Sequence, residues 1–169
     1  MKKILSALIA ALLVLTMMVP ALAEVKLGQV QYAAHGTKCF AVLTVALDGD
    51  TIVAAHIDEY QVMGTDTAVG VPNSDSDFGT NFPEGMALVS KRVNTEVYSA
   101  NMTKAGSTVS ILDNFIAIEN FVVGKTVAEL EAAIEGKDAA AMVDAVAGCT
   151  LVDTLGYVSG LLEAAKSVK

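Results

Sequence analysis

The sequence predicts an α+β domain: a small antiparallel sheet, with a β-hairpin near residues 39–57, packed with C-terminal helices. Three observations predict it. Two aliphatic, β-branched runs flank Asp48-Gly49-Asp50. Phe115, Ile118 and Val122 recur at helical spacing just before Gly124 and the Thr126-x-x-Glu129 pattern. Leu151, Leu155, Val158, Leu162 and Ala165 then form one helical stripe at the end of the chain.

The first run, Cys39 to Leu47, and the second, Thr51 to Ile57, are rich in strand-forming side chains, and Asp-Gly between such runs signals a hairpin. Along the first run, Cys39, Ala41, Leu43 and Val45 on one alternation and Phe40, Val42 and Ala46 on the other are mostly apolar. That predicts a central strand covered on both faces. His56, within the second run, is expected as a satisfied core or edge residue.

Between residues 61 and 85 every period breaks, because Gly64, Gly70, Pro72, Gly79, Pro83 and Gly85 interleave with Asp66, Asp75 and Asp77. This predicts a long surface loop, and loops of that length often cover or line a site. Asp75-Ser76-Asp77 lacks the further carboxylates and glycine spacing of a calcium loop and is expected to be solvated. Met86 to Val89 is expected as a short strand. Lys91-Arg92 follows it as a basic island, solvated at a strand end or available to a phosphate.

Asn94 to Lys104 reads as a helix ending at Gly106, and Thr108 to Leu112 as a β-branched, apolar stretch. Asp113 is expected to cap the helix carrying Phe115, Ile118 and Val122, with Gly124 as its stop. Thr126 and Glu129 form a capping box that starts a helix with Leu130 and Ile134 on one face. The last helix is predicted from about Leu151 to Val168.

The N-terminus carries Lys2 and Lys3, an apolar run from Ile4 to Val19, then Pro20 and Ala21-Leu22-Ala23. That layout predicts a signal peptide over residues 1–23, cleaved near Ala23, and a single domain over 24–169. The run is shorter than the roughly 20 residues a bilayer span needs. A secreted or extracytoplasmic protein of the cell envelope or periplasm is expected, with no stable membrane insertion after cleavage. Cleavage after residue 23 of 169 leaves 146 residues, enough for one core, and loss of Lys2 and Lys3 takes the net charge from −8 to −10. A surface this acidic excludes nucleic acid and anionic lipid as expected partners. The two cysteines, Cys39 and Cys149, are too few for a disulfide scaffold; one bridge and two separate thiols are both open.

One constellation carries chemistry. Asp144-Ala145-Val146-Ala147-Gly148-Cys149-Thr150 precedes the last helix. It resembles the flavinylation motif of the FMN-binding domain family, which runs Asp, two variable residues, Ser or Thr, Gly, Ala, then Ser or Thr. Asp144, Gly148 and Thr150 match. Ala147 stands where the family has a hydroxyl, and Cys149 where it has alanine. The strand, Asp-Gly turn and strand at 40–57, the variable loop, and Val123-Gly124-Lys125-Thr126 add to the likeness. It spans roughly Gln29 to Lys166, with its specific part at 144–151.

The resemblance implies an exported protein that carries electrons outside the cytoplasmic membrane, with FMN esterified through its phosphate to Thr150. It also implies an exported flavin transferase as partner, together with membrane or exported redox proteins. Asp144, Gly148, Cys149 and Thr150 are its cofactor-binding residues. Cysteine in the family's alanine position needs no partner, so two separate thiols are expected. A carrier or reductase module is expected rather than an enzyme with its own substrate pocket. The alternative is a non-catalytic exported module of the same fold that binds a ligand or partner without covalent flavin, the reading Ala147 favours.

Residue chemistry makes its own statement about Thr150. At the expected start of the last helix, unpaired N–H groups and the positive dipole end would favour a phosphate, while an ordinary threonine there is simply an N-cap. Gly148 permits close backbone approach. His35, His56 and the cysteines lack metal-ligand spacing, and no G-x-S-x-G elbow is present.

Overall fold

The structure is a computed structural model and describes residues 24–168. The signal peptide expected over Met1–Ala23 lies outside the described residues. Four strands form an antiparallel meander in chain order: β1 (Val25–Tyr32), β2 (Cys39–Asp48), β3 (Thr51–Gly64) and β4 (Met86–Ser90). The helices α1 (Thr95–Lys104), α2 (Ile111–Val122), α3 (Val127–Ile134), α4 (Ala139–Ala145) and α5 (Thr154–Lys166) follow. This is the α+β arrangement, sheet first and helices after, that the sequence predicts.

The hairpin turns at Gly49-Asp50, with Gly49 at φ +63 and Asp48 opposite Thr51. A register shift between Ala46 and Leu47 accommodates the extra twist of a bulge. β2 is central, but only one of its faces is closed. Ala41, Leu43, Val45 and Leu47 are buried, whereas Val42, Thr44 and Ala46 are half-buried and Phe40 is exposed, stacked on Tyr60 at 5.5 Å between ring centroids. A sheet whose helices all follow it in sequence is free to leave one face to solvent, and apolar residues on both alternations do not reveal which.

α5 lies across β1 and β2 at very short range. A Cβ added at Gly28 would sit 2.0 Å from the Ala164 carbonyl oxygen, and one at Gly160 would sit 2.2 Å from Leu43 Cδ1. A side chain at Gly160 would have to displace the side chains of Leu43 and Tyr32, whereas Gly28 meets backbone and therefore requires glycine for the helix to seat. Seating it places Val158, Leu161, Leu162 and Ala165 in one core with Leu43, Val45, Phe115 and Ile118.

The lower edge of β3 is closed by the α2–α3 connection. Ile52 N–H donates to the Lys125 carbonyl at 2.9 Å, the Ile52 carbonyl accepts from Gly124 N–H at 2.8 Å, and Thr51 bridges Thr126. Glu119 of α2 continues this edge by accepting from Ile57 N–H at 2.7 Å. Burial raises the Glu119 pKa above the ordinary carboxylate range, although Ile57 N–H, Arg92 and His56 pull it down.

Local signals set several boundaries. The Thr126–Glu129 capping box is formed in both directions, and Gly124 at φ +85 follows the end of α2. Phe115, Ile118 and Val122 are fully buried. Ser110, not Asp113, caps α2: its Oγ accepts from Asp113 N–H at 3.0 Å while the Asp113 carboxylate accepts from the same hydroxyl at 2.7 Å. Thr108 to Leu112 accordingly runs into a helix, since a serine cap with an aspartate three residues on overrides β-branched propensity. The last helix starts at Thr154, not Leu151, and a separate helix, α4, is capped by Asp138, whose Oδ1 accepts from Ala141 N–H at 2.8 Å.

Lys91 and Arg92 are not a solvated island. Lys91 is 1% exposed and paired with Glu59, which is 0% exposed, and its ammonium lies 4.4 Å from the Tyr98 ring centre. Burial lowers the Lys91 pKa, but the Glu59 charge and hydrogen bond outweigh it and the net shift is upward. Tyr157 Oη donates to the same Glu59 Oε2 at 2.8 Å, and burial together with the Glu59 charge pushes that phenol up. Arg92 pairs with Glu119 and donates through Nε to the Ile57 carbonyl at 2.7 Å. His56 is exposed rather than a core residue, with Nδ1 4.0 Å from Glu119 Oε1.

Candidate functional site

The segment from Asp144 to Thr150 links α4 to α5, and its shape follows from three local interactions. α4 ends at Ala145, after which Val146 N–H returns to the Val143 carbonyl and Cys149 N–H to the Val146 carbonyl. Gly148, at φ +85, makes the reversal that a side chain would resist. Thr150 is then anchored from outside its own segment: its N–H donates to Asn114 Oδ1 at 2.7 Å, with its Oγ1 3.4 Å from the same oxygen.

Asn114 is the residue that sequence reasoning missed. It is fully buried on α2, and its Nδ2 donates to the Ser110 carbonyl at 2.8 Å and the Val109 carbonyl at 3.3 Å. One side chain thus closes the first turn of α2 and holds the Thr150 loop. The available signal was a polar residue between Ile111 and Phe115 on the apolar stripe of a helix.

Thr150 is exposed and is not a helix cap. The N-cap of α5 is Asp153, whose side chain makes no cap hydrogen bond; its Oδ2 instead lies 2.7 Å from His35 Nδ1. The expectation that Thr150 sits at the helix start is therefore corrected, and with it the reading that the α5 dipole faces a group on Thr150. Three residues, Leu151 to Asp153, intervene because the last apolar stripe begins one turn before the helix does.

Asp144 and Thr150 line one open cleft of ≈ 390 Å³, with Ala139, Ala140, Val143 and Val152 as its aliphatic walls. Gly148 shapes the loop beside it, 3.8 Å from Ala117 Cβ when a Cβ is built on it. Cys149 faces inward: it is 7% exposed, with Sγ 3.0 Å from Thr154 Oγ1. The structure thus brings Asp144 and Thr150 to one surface and turns Cys149 away from it.

The two thiols occupy separate surroundings. Cys39, half-buried, donates to the His35 carbonyl and lies in the field of Glu59. Burial, then the Glu59 charge, pushes its thiol up to about 11. Because the thiolate is the nucleophile, Cys39 is expected to react with iodoacetamide at pH 8 well over tenfold more slowly than a free thiol. Mass-resolved alkylation of the native protein checks this, and a rate equal to that of free cysteine would contradict the environment described.

Among the described residues, no three His, Cys, Asp or Glu side chains are grouped to hold a metal ion, and no helix is long and apolar enough to cross a membrane. No family model matches the chain, and no curated protein and no solved structure is detectably similar to it.

Proposed function

We propose that this protein is an exported flavoprotein that carries electrons outside the cytoplasmic membrane, with FMN joined through its phosphate to Thr150 Oγ1. The observation that carries the reading is the placement of that hydroxyl: exposed, on a loop pinned through Asn114, at the rim of an aliphatic cleft. A cleft of ≈ 390 Å³ falls within the usual range of small-molecule sites.

The residues present fit the attachment end of the cofactor. Thr150 offers an exposed oxygen, and Asn114 holds the backbone that carries it. Val143 and Val152 offer apolar surface for a planar ring, while the phosphodiester keeps its charge in water. Bound flavin supplies the one- and two-electron chemistry; the chain orients it and excludes water from one side. A flavin transferase would modify Thr150, and exported or membrane redox proteins would exchange electrons with the product.

A second reading, a ligand- or partner-binding module without covalent flavin, draws on two features. Ala147 removes the motif's inner hydroxyl, and the Asp144 carboxylate shares the cleft with Thr150, which disfavours an anion there. Intact mass separates the two. Co-expression with an active flavin transferase is expected to add the mass of one FMN moiety and to give a fluorescent band on a denaturing gel. Unmodified mass, with the transferase active on a control substrate, removes the covalent-FMN reading.

A further inference from the structure

The face of the sheet turned away from α2 and α5 has no cover among the described residues. It presents Leu27, 73% exposed, and Phe40, 38% exposed, with Val42, Ala46, Tyr60 and Val62 half-buried beside them. Register gathers these side chains, since Leu27 lies opposite Ala46 and Phe40 opposite Tyr60. At about 4.8 Å between strands and about 3.3 Å per residue, the four strands span roughly 500–600 Å². Two such faces together bury on the order of 1,000 Å², which is what a specific interface needs.

The polar groups within this face are already engaged. Gln29 Nε2 donates to Thr44 Oγ1 at 2.9 Å, and His56 at the margin faces Glu119. Asp58 is 9% exposed and accepts from Ser90 Oγ at 2.8 Å. Covering them therefore strands no buried charge. The free charges stand at the two ends of the central strand. Lys38 immediately precedes β2 and Asp48 closes it at the hairpin; both are exposed, and neither belongs to an ion pair among the described residues.

That arrangement is self-complementary. A second copy related by a two-fold axis through the middle of β2 runs antiparallel to the first, so Lys38 of each copy comes to Asp48 of the other while the apolar centres meet. A partner of uniform charge would match one end and be repelled at the other. Everywhere else the net charge of −8 sets identical copies against each other.

We infer that the protein forms a symmetric dimer, sheet against sheet, through the open face of β1–β4. The helices, and the Thr150 cleft with them, stay outside the interface, so the dimer is independent of flavin attachment.

The test is sedimentation velocity near pH 7 on the chain from Glu24 onward, which contains the whole described core. A monomer–dimer equilibrium with a dissociation constant of about 1–100 µM is expected. Leu27→Glu should weaken it by about tenfold or more, whereas Ile116→Glu, which adds the same charge on α2, should stay within about twofold. Lys38→Glu and Asp48→Lys should each weaken the dimer by about threefold or more, and the double exchange Lys38→Glu/Asp48→Lys should return it to within about twofold of the wild type. Net charge alone would move the two single variants in opposite directions, because one adds negative charge and the other removes it. Dilution of the wild type should shift amides of residues 27–31, 40–48 and 54–62, a readout that needs no variant. A wild type that stays monomeric at about 300 µM or forms open-ended aggregates overturns the inference. So does a Leu27→Glu variant that dimerises like the wild type, an Ile116→Glu variant weakened equally, a double exchange that recovers nothing, or dilution shifts confined to the helices.

Discussion

Lys91→Met is expected to destabilise the protein by about 3–5 kcal/mol, because it leaves the Glu59 carboxylate buried without its counter-charge. Glu59 is 0% exposed and its Oε1 already has no hydrogen-bond partner, so the Lys91 ammonium and Tyr157 Oη on Oε2 are what offset its desolvation. A loss of that size is a large fraction of the roughly 5–15 kcal/mol that holds a domain together. Urea unfolding checks it. Adding Glu59→Gln to Lys91→Met should recover most of the loss, since glutamine keeps an acceptor for Tyr157 and removes the charge. If Lys91→Met alone stays within about 1 kcal/mol of the wild type, the buried pair does not carry the role described.

Thr150→Val is expected to abolish covalent flavin completely, because valine keeps the shape of threonine and lacks the one oxygen that forms the ester. Thr150→Ser retains that oxygen and should retain modification, at least in part. Intact mass after co-expression with a transferase reads both. Stability serves as the control, and the position of Thr150 sharpens it. An N-cap would lose about 0.5–2 kcal/mol on removal of its hydroxyl. Thr150 is exposed, caps no helix, and holds Asn114 chiefly through its backbone N–H, which valine also has. Thr150→Val should therefore change stability by no more than about 0.5 kcal/mol while eliminating the flavin. A Thr150→Val protein that still carries covalent flavin would move the attachment point elsewhere and remove the site assignment.

Much of the local architecture was legible because its causes lie within a few residues of its effects. The Gly49-Asp50 turn, the Thr126 capping box and the Gly124 stop each depend on side chains inside one or two turns of backbone. The same locality explains the misreadings. Asp113 and Ser110 both suit a cap, and the choice fell to Ser110 because α2 begins where Ile111 packs into the core. Leu151 continues the apolar stripe of α5 in spacing, yet it lies in the loop that Asn114 holds through Thr150.

By itself, then, the sequence determined the class of fold, the hairpin and several helix ends, among them the Thr126 start and the Gly124 stop, because alternation and caps act through neighbouring atoms. Only the tertiary structure decided which charges are buried and which hydroxyl is presented. Lys91 finds Glu59 32 residues away, and Thr150 finds Asn114 36 residues away. In a one-dimensional reading Lys91 and Arg92 look solvated, since burying a cation is prohibitive unless an acid from another strand meets it. No local pattern records that meeting. The exposure of Thr150 likewise depends on where α2 places one buried amide, which is a property of packing and not of the residues on either side of it.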